Sequence, residues 1–239
     1  MNLVVDYGNS RIKAGLFEQT NLIQQFSFEA DTIFFEWLKG VKYNNVIISS
    51  VARQTDDLFK KMNSGGKKIL MNQSLPLPIV VKYSTPQTLG VDRIAAACGA
   101  LDVMPNKDCL IIDMGTCINY EFVDDQANYY GGAISPGIKM RFEAMHTFTA
   151  RLPLVKFNEH APLTGNNTES CMQSGVANGV LAELEGIIER YKKKYPTMEV
   201  ILCGGDAPLF ENRLKHPIFV APNLVLSGLN RILLHNVNF

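Results

Sequence analysis

The chain has no run of apolar residues near the roughly 18 that a membrane span needs, so no membrane-spanning helix is expected. Its start, Met1-Asn2-Leu3-Val4-Val5-Asp6, lacks a basic flank and a long apolar core, which argues against a secretory signal. Net charge is missing as well, because 23 Lys and Arg offset 23 Asp and Glu. No strong overall field would draw such a chain to nucleic acid or to an anionic membrane. No Cys-x-x-Cys pair occurs among Cys98, Cys109, Cys117, Cys171 and Cys203. An odd count beside apolar or small neighbours suits buried free thiols in a reducing cytoplasm. His146, His160, His216 and His235 lie too far apart in sequence for a metal-ligand pattern, so no zinc site is expected.

What is present is the composition of a folded protein. Of 239 residues, 46% are apolar and 19% are charged, which supports a sizeable core and argues against disorder. No low-complexity linker divides the chain, but an internal echo does. Leu3-Val4-Val5-Asp6-Tyr7-Gly8-Asn9-Ser10 matches Leu110-Ile111-Ile112-Asp113-Met114-Gly115-Thr116-Cys117, each an apolar run ending in Asp-x-Gly. Two copies are too few for a solenoid but suit a duplicated fold of two lobes. Around each copy the pattern predicts three strands followed by alternating helices and strands. The first half gives strands near 2–6, 12–17, 22–28, 46–48 and 68–71, with helices near 31–39, 54–62 and 92–103. The second gives strands near 109–113, 117–124, 128–134, 200–202 and 218–220, with helices from 138, over 169–194, near 206–214 and at the end of the chain. Met172, Val176, Val180, Leu184, Ile188 and Tyr191 form one apolar stripe of the long helix. The expected class is α/β, a mixed sheet flanked by helices, twice. The lobes would divide at residues 1–105 and 106–239.

A carboxylate at a strand end, followed by glycine and small polar side chains, makes a tight turn with exposed N–H groups that phosphate can approach closely. Asp6 could hold a hydrated cation there while Asn9, Ser10 and Lys13 donate hydrogen bonds or charge. An ordinary hairpin turn uses the same residues. Two copies in matching strand contexts favour opposed turns gripping one nucleotide between lobes. A third glycine turn, Cys203-Gly204-Gly205-Asp206, would suit an adenosine moiety, or be a plain strand connection. Neither a Gly-x-x-x-x-Gly-Lys-Ser/Thr loop nor a Gly-x-Gly-x-x-Gly turn after the first strand occurs, which disfavours P-loop and dinucleotide-binding folds.

Four segments taken in order resemble the motifs of type III pantothenate kinases: Asp6 to Lys13, Gly90-Val91-Asp92-Arg93, Asp113-Met114-Gly115-Thr116 and Gly131-Gly132-Ala133-Ile134-Ser135-Pro136-Gly137. That family belongs with acetate kinase, sugar kinases, Hsp70 and actin, and the resemblance reaches nearly the whole chain. It implies a duplicated ribonuclease H-like (actin-like ATPase) fold with an ATP cleft between two mixed-sheet lobes. It also implies transfer of phosphate from ATP to pantothenate, the first step of coenzyme A synthesis. Under it Asp92 is the catalytic base. Asp6, Gly8, Asn9, Ser10, Arg11 and Lys13 cradle ATP, joined by Gly115, Thr116, Gly204 and Gly205. Tyr83, Gly90, Val91, Arg93 and Thr168 contact pantothenate. Asp113 binds potassium or another monovalent cation such as ammonium, and Asp6 serves the magnesium that travels with ATP. A cytoplasmic homodimer is implied, with no nucleic acid and no membrane partner. Ser10 stands where the family usually has threonine, and Cys117 and Asn119 replace the more usual alanine and threonine.

Each of these residues has a plainer role open to it. Asp92 precedes Ile94-Ala95-Ala96-Ala97 and could be a helix cap. Arg93 could be a solvated first-turn residue, Thr168 a cap of the long helix, and Tyr83 packing within a strand-like stretch. Two other functions fit the scaffold: a kinase or phosphatase for another small molecule, and a nucleotide-responsive regulator without enzymatic activity. The absence of an added helix-turn-helix or basic arm disfavours direct DNA binding.

Overall fold

The computed structural model describes residues 1–8, 11–50 and 56–237, and divides the chain into two compact units. The first takes residues 1–106, Val123–Gly131 and the chain from Asn223 on; the second takes Lys107–Phe122 and Gly132–Pro222.

In the first unit, five strands form a sheet in the order β3-β2-β1-β4-β5: β1 (Asn2–Tyr7), β2 (Ile12–Glu18), β3 (Asn21–Phe28), β4 (Asn45–Ser50) and β5 (Lys68–Leu70). β1 pairs antiparallel with β2 and parallel with β4, so the sheet is mixed. The period of two sorts its residues by face. Leu3, Val5, Tyr7, Ile12, Ala14, Val46 and Ile48 enter one core with Phe34 and Leu38 of α1 (Asp31–Lys39). Those two lie four residues apart on one helical face, with Asp31 in the first turn and Lys39 in the last, as the helix dipole favours. α2 (Asp56–Lys61) follows β4. The residues between those of the first core, Asp6, Lys13 and Ser49 among them, belong to the opposite face of the sheet.

Two helices of this unit, α3 (Val91–Val103) and α6 (Leu224–Val237), pack tightly on each other, and α6 also packs on β1, β2 and β4. Glycines allow the approach. A Cβ on Gly228 would lie 1.7 Å from the Ala95 carbonyl oxygen, and one on Gly99 would lie 2.4 Å from that of Leu224. The alanine run that makes α3 a good helix former also lets it be buried almost all round. β6 (Val80–Val81), which the sequence pattern did not suggest, pairs in parallel with Asn128 and Tyr129 at the start of β9 (Asn128–Pro136).

The second unit repeats the plan. β7 (Cys109–Met114), β8 (Cys117–Val123), β9 from Gly132, β10 (Glu199–Cys203) and β11 (Phe219–Val220) run in the order β11-β10-β7-β8-β9. Leaving aside β6, which borders β9 at the edge of the second sheet, both sheets counted by appearance read third, second, first, fourth, fifth. β7 and β8 are joined by two residues, a link that only antiparallel strands allow, while β7, β10 and β11 are parallel. α4 (Ile138–Thr147) and α5 (Thr168–Lys194) cover this sheet. The stripe expected on α5 is buried at Met172, Val176, Val180, Leu184 and Ile188, with Tyr191 partly buried against the same core.

Three expectations are corrected. Residues 206–214 form no α-helix, only a 3-10 turn at Ala207–Leu209, because Pro208 has no N–H to give and the bonds from Leu209 and Phe210 run three residues back. Tyr83 lies beyond the two-residue β6, in a loop. Cys171 is exposed, whereas Cys98, Cys109 and Cys203 are buried and Cys117 is half-buried; all five are free. Among the described residues no helix is long and apolar enough to cross a membrane.

Candidate active site

The repeated Asp-x-Gly segments occupy equivalent places. Asp6 and Asp113 are each the penultimate residue of the first strand of a sheet, and each is followed two residues later by glycine. The turns differ in length. Residues 8–11 join β1 to β2, and the Gly8 N–H donates to the Arg11 carbonyl (3.1 Å). Only Gly115 and Thr116 join β7 to β8, with the Gly115 N–H donating to the Cys117 carbonyl (2.9 Å). Asn9 and Ser10, expected at the tip of the first turn, lie outside the described residues. Arg11 pairs with Glu29 at 2.7 Å, but both are well exposed, so the pair is worth little and a phosphate could displace it.

Asp6 sits in register with Lys13 of β2 on one side and Ser49 of β4 on the other. Register partners share a face of the sheet, so a carboxylate, an ammonium and a hydroxyl stand together at one strand end. The Ser49 hydroxyl is fully buried and makes no hydrogen bond among the described residues. An unpaired buried donor costs about 1–3 kcal/mol, and beside Asp6 it fits a site whose polar partners arrive with a ligand. No group of three or more His, Cys, Asp or Glu side chains that could hold a metal exists among the described residues. Magnesium bound through nucleotide phosphates needs only one or two protein carboxylates, so Asp6 with its neighbours fits it.

In the second unit the structure brings Asp113, Gly115, Thr116 and Gly204 together. Gly204 has φ +93°, and a Cβ there would lie 2.3 Å from the Met114 carbonyl oxygen and 2.5 Å from Asp113 Oδ1. The Asp206 N–H donates to that Met114 carbonyl (3.0 Å), which ties the glycine turn to the end of β7. Gly137 joins the same place: its N–H donates to the Thr116 carbonyl (3.1 Å), and a Cβ would overlap the Gly115 and Thr116 oxygens. A carboxylate amid close-packed carbonyls is a set of hard oxygen donors, which suits an alkali cation. Gly205 is open, with nothing near a Cβ position. Beside this turn lies a largely apolar cavity of about 360 Å³, lined by Ile138, Phe142, Val155, Phe157 and Leu209 with Asp206 at its polar edge. Burial pushes the Asp206 carboxyl above the ordinary aspartate range.

A third group forms in the first unit around the start of α3. Gly90 is the N-cap, so Asp92 is not; it is the second helical residue, and its Oδ1 accepts from the Arg93 N–H (2.9 Å). Arg93 is buried at 8% exposure, which removes the solvated reading. Its guanidinium lies 5.7 Å from the centre of the Tyr83 ring, in cation–π range. Tyr83 also lies beside Tyr129, with ring centres 6.5 Å apart, where the Lys82 N–H donates to the Tyr129 carbonyl (2.8 Å). Val91, expected to contact substrate, is buried at 6%. Thr168 belongs to the second unit, where it is the exposed first residue of α5. Its capping role falls instead to Asn167, which forms a capping box with Ser170.

The sequence gives no individual role to Ser49, Gly137 or Asp206, although the last two lie in motifs it shows. Gly137 was visible as part of a glycine motif, but Ser49 carries no local signal, since only strand pairing sets it beside Asp6.

Comparison with known proteins identifies the family of the chain. The family described as type III pantothenate kinase matches residues 2–190. A type III pantothenate kinase from Cytophaga hutchinsonii is 45% identical over 237 residues, covering 99% of this chain and all of that one. Among solved structures, a conserved Baf family protein described as a transcriptional activator, from Campylobacter jejuni, is similar with a TM-score of 0.66 at 22% identity, covering 99% of this chain and 100% of that one. The activator of the 2-hydroxyisocaproyl-CoA dehydratase from Clostridium difficile, solved with bound ADPNP, gives a TM-score of 0.57 at 11% identity, covering 99% and 95%. Those two likenesses concern the fold alone. With a matching family model over most of its length and near-complete alignment to a relative at 45% identity, the chain belongs to the type III pantothenate kinase family.

Proposed function

We propose that this chain transfers the γ-phosphoryl group of ATP to the primary hydroxyl of pantothenate, giving 4'-phosphopantothenate, the opening step of coenzyme A synthesis. The observation that carries this reading is that the start of α3 sets side by side the Asp92 carboxylate, held by the Arg93 N–H, and the buried side chain of Arg93. Pantothenate offers one group for each: a carboxylate for a desolvated cation, and a hydroxyl for a base. Tyr83 and the Gly90–Val91 backbone complete the acceptor side, and Thr168 adds a hydroxyl at the N-terminus of α5, an end that favours anions.

Phosphoryl transfer is largely dissociative, so the protein works by positioning and by charge. Asp92 orients the acceptor hydroxyl in line and takes its proton late, as the new bond to phosphorus forms. The turn of Gly8, Asn9, Ser10 and Arg11, with Lys13 and the Gly115–Thr116 turn, binds the phosphates through N–H groups, hydroxyls and cations. The cavity beside Gly204 and Gly205 takes the adenosine end. Magnesium bound with ATP, served by Asp6, would neutralise charge on the phosphates. Asp113 would hold potassium.

The protein acts in the cytoplasm, a reading supported by five free cysteines, and as a homodimer, supported by the exposed Ile134, Phe148, Leu154 and Leu163 of the second unit. Nucleic acid is not a partner. The deciding experiment measures ADP release with pantothenate as acceptor, in potassium and in sodium, alongside sedimentation at assay concentration. ADP formed only with pantothenate, and faster in potassium, is expected. No pantothenate-dependent turnover in either salt would overturn the assignment.

A further inference from the structure

The second unit holds a polar linkage that none of the roles above uses. Tyr120 of β8 is 1% exposed, and its hydroxyl donates to Glu183 Oε1 (2.8 Å) from the middle of α5. The other oxygen of Glu183 accepts from Arg141 of α4 (2.5 Å). Arg141 in turn donates through Nε to the Pro136 carbonyl and through a terminal nitrogen to Ser135 Oγ, both at 2.8 Å. Burial alone would raise the Glu183 carboxyl, but the hydrogen bonds from Arg141, Tyr120 and Ser135 outweigh it and hold the group below the ordinary glutamate range. Glu183 is therefore charged at neutral pH, and the linkage is a charge-assisted one between a planar fork and a carboxylate.

Its place matters more than its strength. Ser135 and Pro136 end β9, and the next residue, Gly137, donates to the Thr116 carbonyl at 3.1 Å. A Cβ at Gly137 would overlap both Gly115 and Thr116 carbonyl oxygens, so this segment and the turn touch backbone to backbone. A shift of Pro136 is thus passed to Gly115 and Thr116 with no side chain between to absorb it. We propose that Arg141 and Glu183 are positioning residues that fix the Gly115–Thr116 turn through the Ser135–Gly137 segment. Arg141 holds the carbonyl of Pro136, Glu183 holds Arg141 against a buried tyrosine, and the turn is kept in the shape that receives phosphate.

This rests on the turn taking part in ATP binding, and the test separates the two ideas. Arg141→Lys keeps the charge but loses the fork, so it cannot reach Pro136 and Ser135 together. Glu183→Gln keeps the shape and removes the charge. ATP affinity is measured by calorimetry without pantothenate, and kcat and KM are measured for each substrate, with thermal unfolding in parallel. Misplacement of a binding turn costs on the order of tenfold, and that loss is expected in ATP affinity and in kcat/KM for ATP. KM for pantothenate should stay within about twofold, a split that general loosening of the fold would not produce. Wild-type ATP affinity and kcat/KM in both variants, whatever their melting temperatures, would overturn the proposal. Should both fail to fold, Ser135→Ala removes a single hydroxyl with its bonds to Arg141 and Glu183, and about a threefold loss of ATP affinity is expected, with no loss counting against the proposal. Wild-type protein that binds ATP without phosphorylating pantothenate would defeat the acceptor assignment and leave the calorimetric comparison valid.

Discussion

The Tyr83 ring occupies the space that a side chain on residue 131 would need: a Cβ on Gly131 would lie 2.7 Å and 2.8 Å from two of its ring carbons. Gly131 also has φ +87°, a backbone that other residues adopt at a cost. Tyr83 in turn covers the Arg93 guanidinium. One glycine thus sets the position of an aromatic ring over a buried cation.

Gly131→Ala should therefore weaken pantothenate use. A loss of roughly tenfold in kcat/KM for pantothenate, equal to about 1.4 kcal/mol, is expected, with KM for ATP little changed. In a Tyr83→Ala background the same substitution should cost only its backbone strain. A double-mutant cycle measures the difference, and additive losses would show that Tyr83 does not transmit the effect.

Asp92→Asn should fold, since the amide oxygen can still accept from the Arg93 N–H. It cannot take a proton, so turnover at saturating substrates should fall by about a hundred- to ten-thousand-fold. A loss of about threefold or less would reduce Asp92 to its role in the first helical turn.

Ser49→Ala gives opposite signs in two measurements. Removing a buried hydroxyl that has no partner among the described residues should leave the ligand-free protein as stable as before, or more so. The rise in melting temperature produced by magnesium and ATP should shrink, because the hydroxyl beside Asp6 no longer meets its ligand. A less stable ligand-free protein with an unchanged response to magnesium and ATP would contradict this.

Asp206 should make stability depend on pH in a defined direction. Burial raises its folded-state value, so the native protein holds the proton to higher pH than the unfolded chain. Its cost is absent below the ordinary aspartate value and is complete above the raised one. Asp206→Asn should therefore melt higher than wild type at neutral pH, and the gap should close on acidification. A gap independent of pH would refute the assignment.

Much of the architecture was legible because it is written in local pattern. Continuous apolar runs marked β1 and β7, the four-residue spacing from Met172 marked α5, and Asp-x-Gly after an apolar run marked both turns. The 206–214 segment was misread since Pro208 suits the start of a helix as well as a turn. β6 was missed because two residues give no period to detect. At the site, Asp92 stood out by its motif, but its exact place in the first turn depended on where the chain left helical geometry, at Gly90.

By itself the sequence determined the duplicated strand plan and the two glycine turns with their aspartates. These follow from side-chain periodicity and backbone freedom, which act between near neighbours. Only the tertiary structure decided that α6, from the end of the chain, packs with α3 in the first unit, that Ser49 shares a sheet face with Asp6, and that Arg141 meets Glu183 across two helices. Those contacts join residues more than a hundred positions apart in places, as Arg231 of α6 and Asp102 of α3 are at 129 positions, and depend on strand order and glycine-permitted close approach. No local pattern records which distant surfaces will exclude water together, so that choice belongs to the packed molecule.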